Sequence, residues 1–327
     1  MTTKRNRRDV SRRSVLASSA GVAGFALAGC VGEDPQNGED EGVGGDEAGG
    51  EGGDDAEHSA AASFFMPFDV TRQVAGDSVD VEDLVPVGEH GHDWDPDPGT
   101  VEGIENADMF VYTREFTSWQ DDAADSLGDD EDTIVVDLSE GIEFIDSPAE
   151  TNDEHFWMNP RSMQEGVPNV VDALSELDPD NAESYEENGE AFVEELEALH
   201  EEFVGLVDDA ERNEVVVGSH DSYQWWWDEY DFEIHSPVGT SPDDEASAAD
   251  IEEVEALIAE HDIEYILYDM YEPRTLAESL AEETDTEILP LSPIEGTTEE
   301  QLEDGWGYLE HQREINLDSL ARALDAR

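Results

Sequence analysis

Nine histidines, at positions 58, 90, 92, 155, 200, 220, 235, 261 and 311, are the residues of this 327-residue chain best suited to chemistry. A lone histidine is ordinarily solvated or hydrogen-bonded. Three of these have richer surroundings. His92 opens His-Asp-Trp-Asp-Pro-Asp-Pro, a turn-rich loop between a β-branched run and a helical pattern. His155 lies in Asn-Asp-Glu-His-Phe-Trp-Met-Asn-Pro, a loop that ends in the helix-start signal Asn159-Pro160. His220 follows Glu-Val-Val-Val-Gly-Ser at the carboxyl end of a strand, the edge where open α/β sheets bind ligands. Neutral imidazoles from separate loops are a standard way to hold zinc. Three of them with an open position also suit a zinc hydrolase or hydratase, with Glu295 or Glu89 as general base. No P-loop, dinucleotide glycine fingerprint or Gly-x-Ser-x-Gly elbow is present. The run Trp225-Trp226-Trp227 could offer a sugar platform, but Tyr223, Trp226, Trp227 and Tyr230 share a helical face, which favours packing.

Strands are expected at Ala61 to Phe65, Val79 to Val85, Met109 to Tyr112 and Thr133 to Leu138. A second set is expected at Glu214 to Gly218, Glu264 to Asp269 and Glu287 to Leu291, with helical patterns such as Gly99 to Ala107 and Asp250 to His261 between strands. Such alternation predicts an α/β protein with mainly parallel sheets in two lobes. Residues 161 to 208 separate the sets and contain no strand pattern. Within them Asp178-Pro179 reads as a helix start, and Tyr185, Phe192, Leu196, Leu199, Phe203 and Leu206 form one apolar stripe. A helix of about 28 residues, near 42 Å long at 1.5 Å per residue, could join the lobes.

Composition narrows the partners. Asp and Glu number 88 against 14 Lys and Arg, a formal charge of -74, and the only lysine is Lys4. Nucleic acid and anionic membrane surfaces both require a positive footprint, so neither is a charge-driven partner. A single cysteine, Cys30, excludes an internal disulfide and a cysteine-based zinc cluster. Residues 33 to 57 are almost purely Gly, Asp and Glu and read as disordered, whereas later acidic residues alternate with apolar ones. Acidic excess without lysine suits a folded protein in concentrated salt, where the Debye length falls to roughly 3 Å at 1 M. At the amino terminus, Arg12-Arg13 and a short apolar stretch read as a twin-arginine export signal over residues 1–29. Leu27-Ala28-Gly29-Cys30 resembles a lipobox, making Cys30 the lipidated first residue of the mature protein, with residues 30–60 as its tether.

From about residue 61 onward the chain resembles the solute-binding lipoproteins of zinc and manganese ABC importers. The resemblance is carried by Asp69-Val-Thr-Arg-Gln-Val-Ala-Gly-Asp77, Leu84-Val-Pro-Val-Gly88, His92-Asp-Trp-Asp-Pro-Asp-Pro98 and Ala107-Asp108. It continues in His155-Phe-Trp-Met-Asn-Pro160, Ser219-His-Asp-Ser-Tyr223 and Leu276-Ala-Glu-Ser-Leu-Ala-Glu-Glu283. It implies an N-terminal lobe over 61–178, a connecting helix over 179–208 and a C-terminal lobe over 209–327. It also implies that His92, His155 and His220 are metal ligands in the inter-lobe cleft, and that the protein delivers Zn(II), with Mn(II) as second choice, to a membrane permease as a monomeric receptor rather than an enzyme. A rival without tight metal binding is an acidic adhesion or surface-layer protein. Where these receptors commonly carry an aspartate after the late strand, this chain has Ser292. Water, His90, Glu89 or Glu295 could then complete the site. His90 is two residues from His92 and would point the same way on an extended segment. Loss of that aspartate favours zinc over the oxygen-seeking manganese, and Ser292→Asp is expected to narrow the gap.

Overall fold

A computed structural model of the chain describes residues 56 to 326, apart from 93, 129–132, 149–150 and 242–245. The export signal, Cys30 and most of the expected tether lie outside the described residues. The first lobe alternates β1 (His58–Ala62), α1 (Phe65–Ala75), β2 (Val79–Asp83), α2 (Pro98–Asn106), β3 (Met109–Tyr112), α3 (Ser118–Leu127) and β4 (Ile134–Asp137). Its four strands are parallel in the order β2-β1-β3-β4. Two helices follow, α4 (Pro160–Leu177) and α5 (Ala182–Asp209). The second lobe repeats the plan with β5 (Glu214–Val217), α6 (Gln224–Tyr230), β6 (Glu233–His235), α7 (Ala248–His261), β7 (Tyr265–Asp269), α8 (Thr275–Thr284) and β8 (Glu287–Leu291). These strands are also parallel, ordered β6-β5-β7-β8. A short α9 (Glu299–Glu303) precedes a last helix made of α10 (Tyr308–Glu310), a π-helical stretch His311–Leu317 and α11 (Asp318–Ala323).

Local chemistry explains most boundaries. The Asp97 side chain accepts from the amides of Gly99 and Thr100 and Pro98 opens α2, while Asn159 and Pro160 do the same for α4. Ser247 and Asp250 form a capping box at the start of α7. Two expectations need correction, and two elements are new. The first strand begins at His58, so the folded lobe starts before residue 61, and Phe65 opens α1 instead of ending the strand. The long helix begins at Ala182, not 179, because the Asp178 carboxylate turns forward to accept from Asn181 and Tyr185. Residues 160–177 form a separate helix, α4, and β6 is a three-residue strand that the sequence pattern did not reveal.

The helix α5 buries Tyr185, Phe192, Leu196, Leu199 and Phe203, as the stripe predicts, and Leu206 is partly buried. Burying one such side chain contributes about 1.5–3 kcal/mol, so the stripe is a major source of stability. Near its start Asn188 donates to the Val74 carbonyl of α1 (2.9 Å), and near its end Phe203 stacks on Tyr230 of α6, ring centres 5.0 Å apart. Gly189 allows close approach: a Cβ there would collide with Val171 of α4. The helix therefore packs against elements of both lobes.

Candidate metal centre

Each candidate side chain is delivered by the carboxyl end of a sheet or by a loop pinned against the other lobe. His92 lies in the loop between β2 and α2, and His220 lies just beyond β5, where the order β6-β5-β7 leaves neighbours on both sides. His155 precedes a single 3-10 turn, Phe156–Met158. That turn is stitched down by buried donors: Trp226 Nε1 reaches the Met158 carbonyl (2.6 Å), Trp225 Nε1 the Asp153 carbonyl (3.0 Å) and Trp157 Nε1 the Pro293 carbonyl (2.7 Å). Tyr223, Trp225, Trp226 and Tyr230 are buried and Trp227 only partly so, which makes the tryptophan run packing rather than a platform.

These loops bring His92, His155 and His220 together with Glu295. One ligand atom from each lies within 4.8 Å of the others. His92 Nε2 faces His155 Nε2 at 3.2 Å, and Glu295 Oε1 lies 3.6 Å from His155 Nε2 and 3.4 Å from His220 Nε2. Glu295 Oε2 is 3.9 Å from His92 Nε2. A tetrahedron with bonds of roughly 2.0–2.1 Å has edges near 3.3 Å, so most of these separations are close to the edges of a zinc polyhedron. His155, His220 and Glu295 are fully buried. His220 Nε2 and both Glu295 oxygens have no hydrogen-bond partner, an arrangement that costs free energy unless a cation occupies the centre.

The opposite ring nitrogens are held by carboxylates. His155 Nδ1 donates to Asp153 Oδ1 (2.9 Å), and His220 Nδ1 donates to Glu272. Such partners fix the tautomer that leaves Nε2 free to bind. Burial alone would lower both imidazoles. For His155, the charges of Glu154, Asp153 and Glu295 outweigh it and raise its pKa to about 9. For His220, the bond to Glu272 and the charges of Glu295 and Asp269 also raise it. His92 is pushed down to about 3 by burial. Burial would raise Glu295, but His90, His92 and His220 hold it below the usual carboxylate range.

Ser292, expected at the missing ligand's place, is buried away from the cluster. Its Oγ and His311 Nδ1 share a hydrogen bond (2.9 Å), and it accepts from the Ile294 amide (3.2 Å). Asn316 receives the Ser292 amide (2.8 Å) and donates to its carbonyl (3.0 Å). Ile294 adopts φ 63°, a left-handed conformation that is costly for a β-branched residue. That turn carries Glu295 into the cluster, three residues after Ser292. Gly296 is required beside it, because a Cβ would strike the Glu89 carbonyl. Glu89 is itself exposed and outside the cluster, and His90 lies between two carboxylates, its Nε2 donating to Asp269 Oδ2 at 3.0 Å and its Nδ1 3.2 Å from Glu295 Oε2. Sequence reasoning kept Glu295 among several alternatives; the Gly-bounded acidic residue after a strand was the available signal.

Residues 61–323 match the family model described as zinc-uptake complex component A, periplasmic. The chain belongs to this family. Among curated relatives, the high-affinity zinc uptake system protein ZnuA of Bacillus subtilis is 28% identical over 277 residues, covering 80% of this chain and 86% of that protein. The zinc-binding protein AdcA of Streptococcus pyogenes is 28% identical over 286 residues, but the chain spans only 55% of its length. Among solved structures, the metal-dependent lipoprotein YcdH of Bacillus subtilis superposes with a TM-score of 0.72 at 29% identity, covering 82% of this chain and 99% of that one. Zn(II)-bound AdcA of Streptococcus pneumoniae gives 0.72 at 27% identity, with 83% and 58% covered. The periplasmic zinc-binding protein TroA of Treponema pallidum, 23% identical, shares the fold with a TM-score of 0.74 over 83% of this chain and 99% of that one. The expected two-lobed α/β architecture is thus that of a known receptor fold.

Proposed function

We propose that this ZnuA-family chain captures Zn(II) outside the cytoplasm with His92, His155, His220 and Glu295 and delivers it to the permease of an ABC importer. The carrying observation is the convergence of three imidazole nitrogens and one carboxylate, buried and within 4.8 Å. Three nitrogens and one oxygen at tetrahedral spacing suit zinc better than manganese, which prefers more oxygen ligands. Zinc is cargo here, and the protein performs no chemistry on it. A hydrolase would need an open ligand position with a base beside it. Glu295 fills the fourth position in this reading, and Glu89 is exposed and outside the cluster.

Cys30 is read as the lipidated residue that keeps a monomeric receptor at the outer face of the cytoplasmic membrane, after export directed by Arg12-Arg13. The acidic surface is read as an adaptation to concentrated salt. Competition titration of zinc against manganese in concentrated salt tests the metal assignment. Tight zinc binding that manganese cannot match supports it, and equal or tighter manganese binding refutes it.

A further inference from the structure

The far side of the His220 ring carries a second group of donors, joined to the capture site through His90, whose Nδ1 lies 3.2 Å from Glu295 Oε2. His220 Nδ1 contacts Glu272 and lies 3.4 Å from Asp269 Oδ2, which in turn receives His90 Nε2 at 3.0 Å. One ligand atom from each of His90, His220, Asp269 and Glu272 lies within 4.8 Å of the others. Orientation of His220 requires one acceptor for its single N–H. Here two carboxylates converge on that nitrogen, and a second imidazole completes the group. Two imidazoles with two carboxylates form a donor set for a divalent transition-metal ion. The group also has a direction. Asp269 is fully buried, the His90 side chain is 5% exposed and that of Glu272 is 15% exposed, so Glu272 is its outermost member.

We propose that His90, Asp269, Glu272 and Nδ1 of His220 form a second divalent-cation position, through which zinc passes on its way to and from the capture site. This rests on the reading of His92, His155, His220 and Glu295 as that capture site. The two positions are occupied in turn, because a neutral imidazole has one lone pair. An ion on Nδ1 leaves the ring proton on Nε2, which faces Glu295 Oε1 at 3.4 Å. An ion on Nε2 leaves the proton on Nδ1, where Asp269 and Glu272 accept it. The ring keeps one proton in both states, always on the nitrogen opposite the ion, and exchanges it with the facing carboxylates and water. His220 is therefore the common wall of a two-step path.

Zinc-edge anomalous diffraction from crystals of the full chain grown with Zn(II) in concentrated salt tests this. Wild type is expected to show an ion on the Nε2 side, among His92, His155 and Glu295. In the His92→Ala/His155→Ala variant the ion is expected on the Nδ1 side, displaced by about 6 Å, the span of two Zn–N bonds of roughly 2 Å across the ring. A folded double variant without an ion there overturns the second position. A wild-type ion absent from the three-histidine side overturns the capture-site reading instead. Stopped-flow tryptophan fluorescence supplies an independent arm. His90→Gln is expected to slow zinc loading and chelator-driven release by similar factors of at least about fivefold, and unchanged rates overturn the path.

Discussion

Acidic residues occur in two regions of this molecule, and they behave as different materials. On the surface they are numerous, contribute to a formal charge of -74 and face few cations. Around the metal centre they are few, buried and individually matched. Asp153 receives His155, Asp269 receives His90, and Glu295 sits among four imidazoles, those of His90, His92, His155 and His220. Outside that centre, buried Asp69 is satisfied in the same manner by Arg72 (2.6 Å) and the Tyr308 amide (2.7 Å). The contrast teaches that the count of carboxylates says little about metal recognition. Exposed charges are screened by salt within a few ångströms, whereas a desolvated carboxylate beside an imidazole is screened far less. On the proposed reading, selectivity belongs to the interior and salt tolerance to the surface.

The two regions are separable by mutation. The largest effect is expected from His220→Ala, which removes the imidazole shared by the His92/His155/Glu295 group and the His90/Asp269/Glu272 group; zinc affinity should fall by at least about a hundredfold in competition titration. Loss of Glu295 in Glu295→Gln should cost on the order of ten- to a hundredfold. Replacing several surface glutamates of α5, such as Glu194 and Glu201, with glutamine should leave zinc affinity within about twofold. A comparable drop from the surface changes would erase the distinction.

Salt should divide the regions in the opposite sense. Dilution from concentrated salt should lower the melting temperature of the metal-free protein, because unscreened surface repulsion opposes compaction. Zinc affinity at the buried centre should vary much less over the same range. A melting temperature independent of salt would remove the halophilic reading.

A smaller effect is expected with pH. The His155 pKa is raised to about 9 in the folded metal-free protein, against an ordinary value of 6.5. A raised imidazole stabilises the folded state below its unfolded pKa, and this contribution is lost as pH rises through the folded value. Metal-free stability should therefore decline between about pH 6.5 and pH 9. Zinc must displace the same proton, so apparent zinc affinity should rise across that window. Thermal melts and zinc titrations run in parallel would show the two trends crossing; parallel trends would contradict the assignment of His155.

Much of the scaffold could be read from residue patterns. Met109–Tyr112 and Glu287–Leu291 coincide with expected strands because β-branched and aromatic runs end there in sharp turn signals. The three histidine loops were legible for the same reason, since strand ends and Asn-Pro or Asp-Pro starts mark them. Helix α4 was less visible, with Gly166 and Pro168 interrupting its pattern. The fourth donor depends on distant contacts. Ile294 keeps its left-handed turn where Asn316, His311 and Trp157 hold the flanking residues, and these clamps lie far away along the chain. Local sequence cannot announce a conformation that only tertiary bonds sustain. The expectation for Ser292→Asp changes accordingly. Ser292 ties its turn to His311, so a carboxylate there should disturb Glu295 and weaken zinc binding instead of adding a ligand for manganese.

X-ray absorption of the zinc-loaded full chain in concentrated salt tests the central claim most directly. The account predicts four nitrogen or oxygen neighbours at about 2.0–2.1 Å, with the scattering signature of three imidazoles. Six oxygen neighbours at longer range, or fewer than three imidazoles, would contradict it.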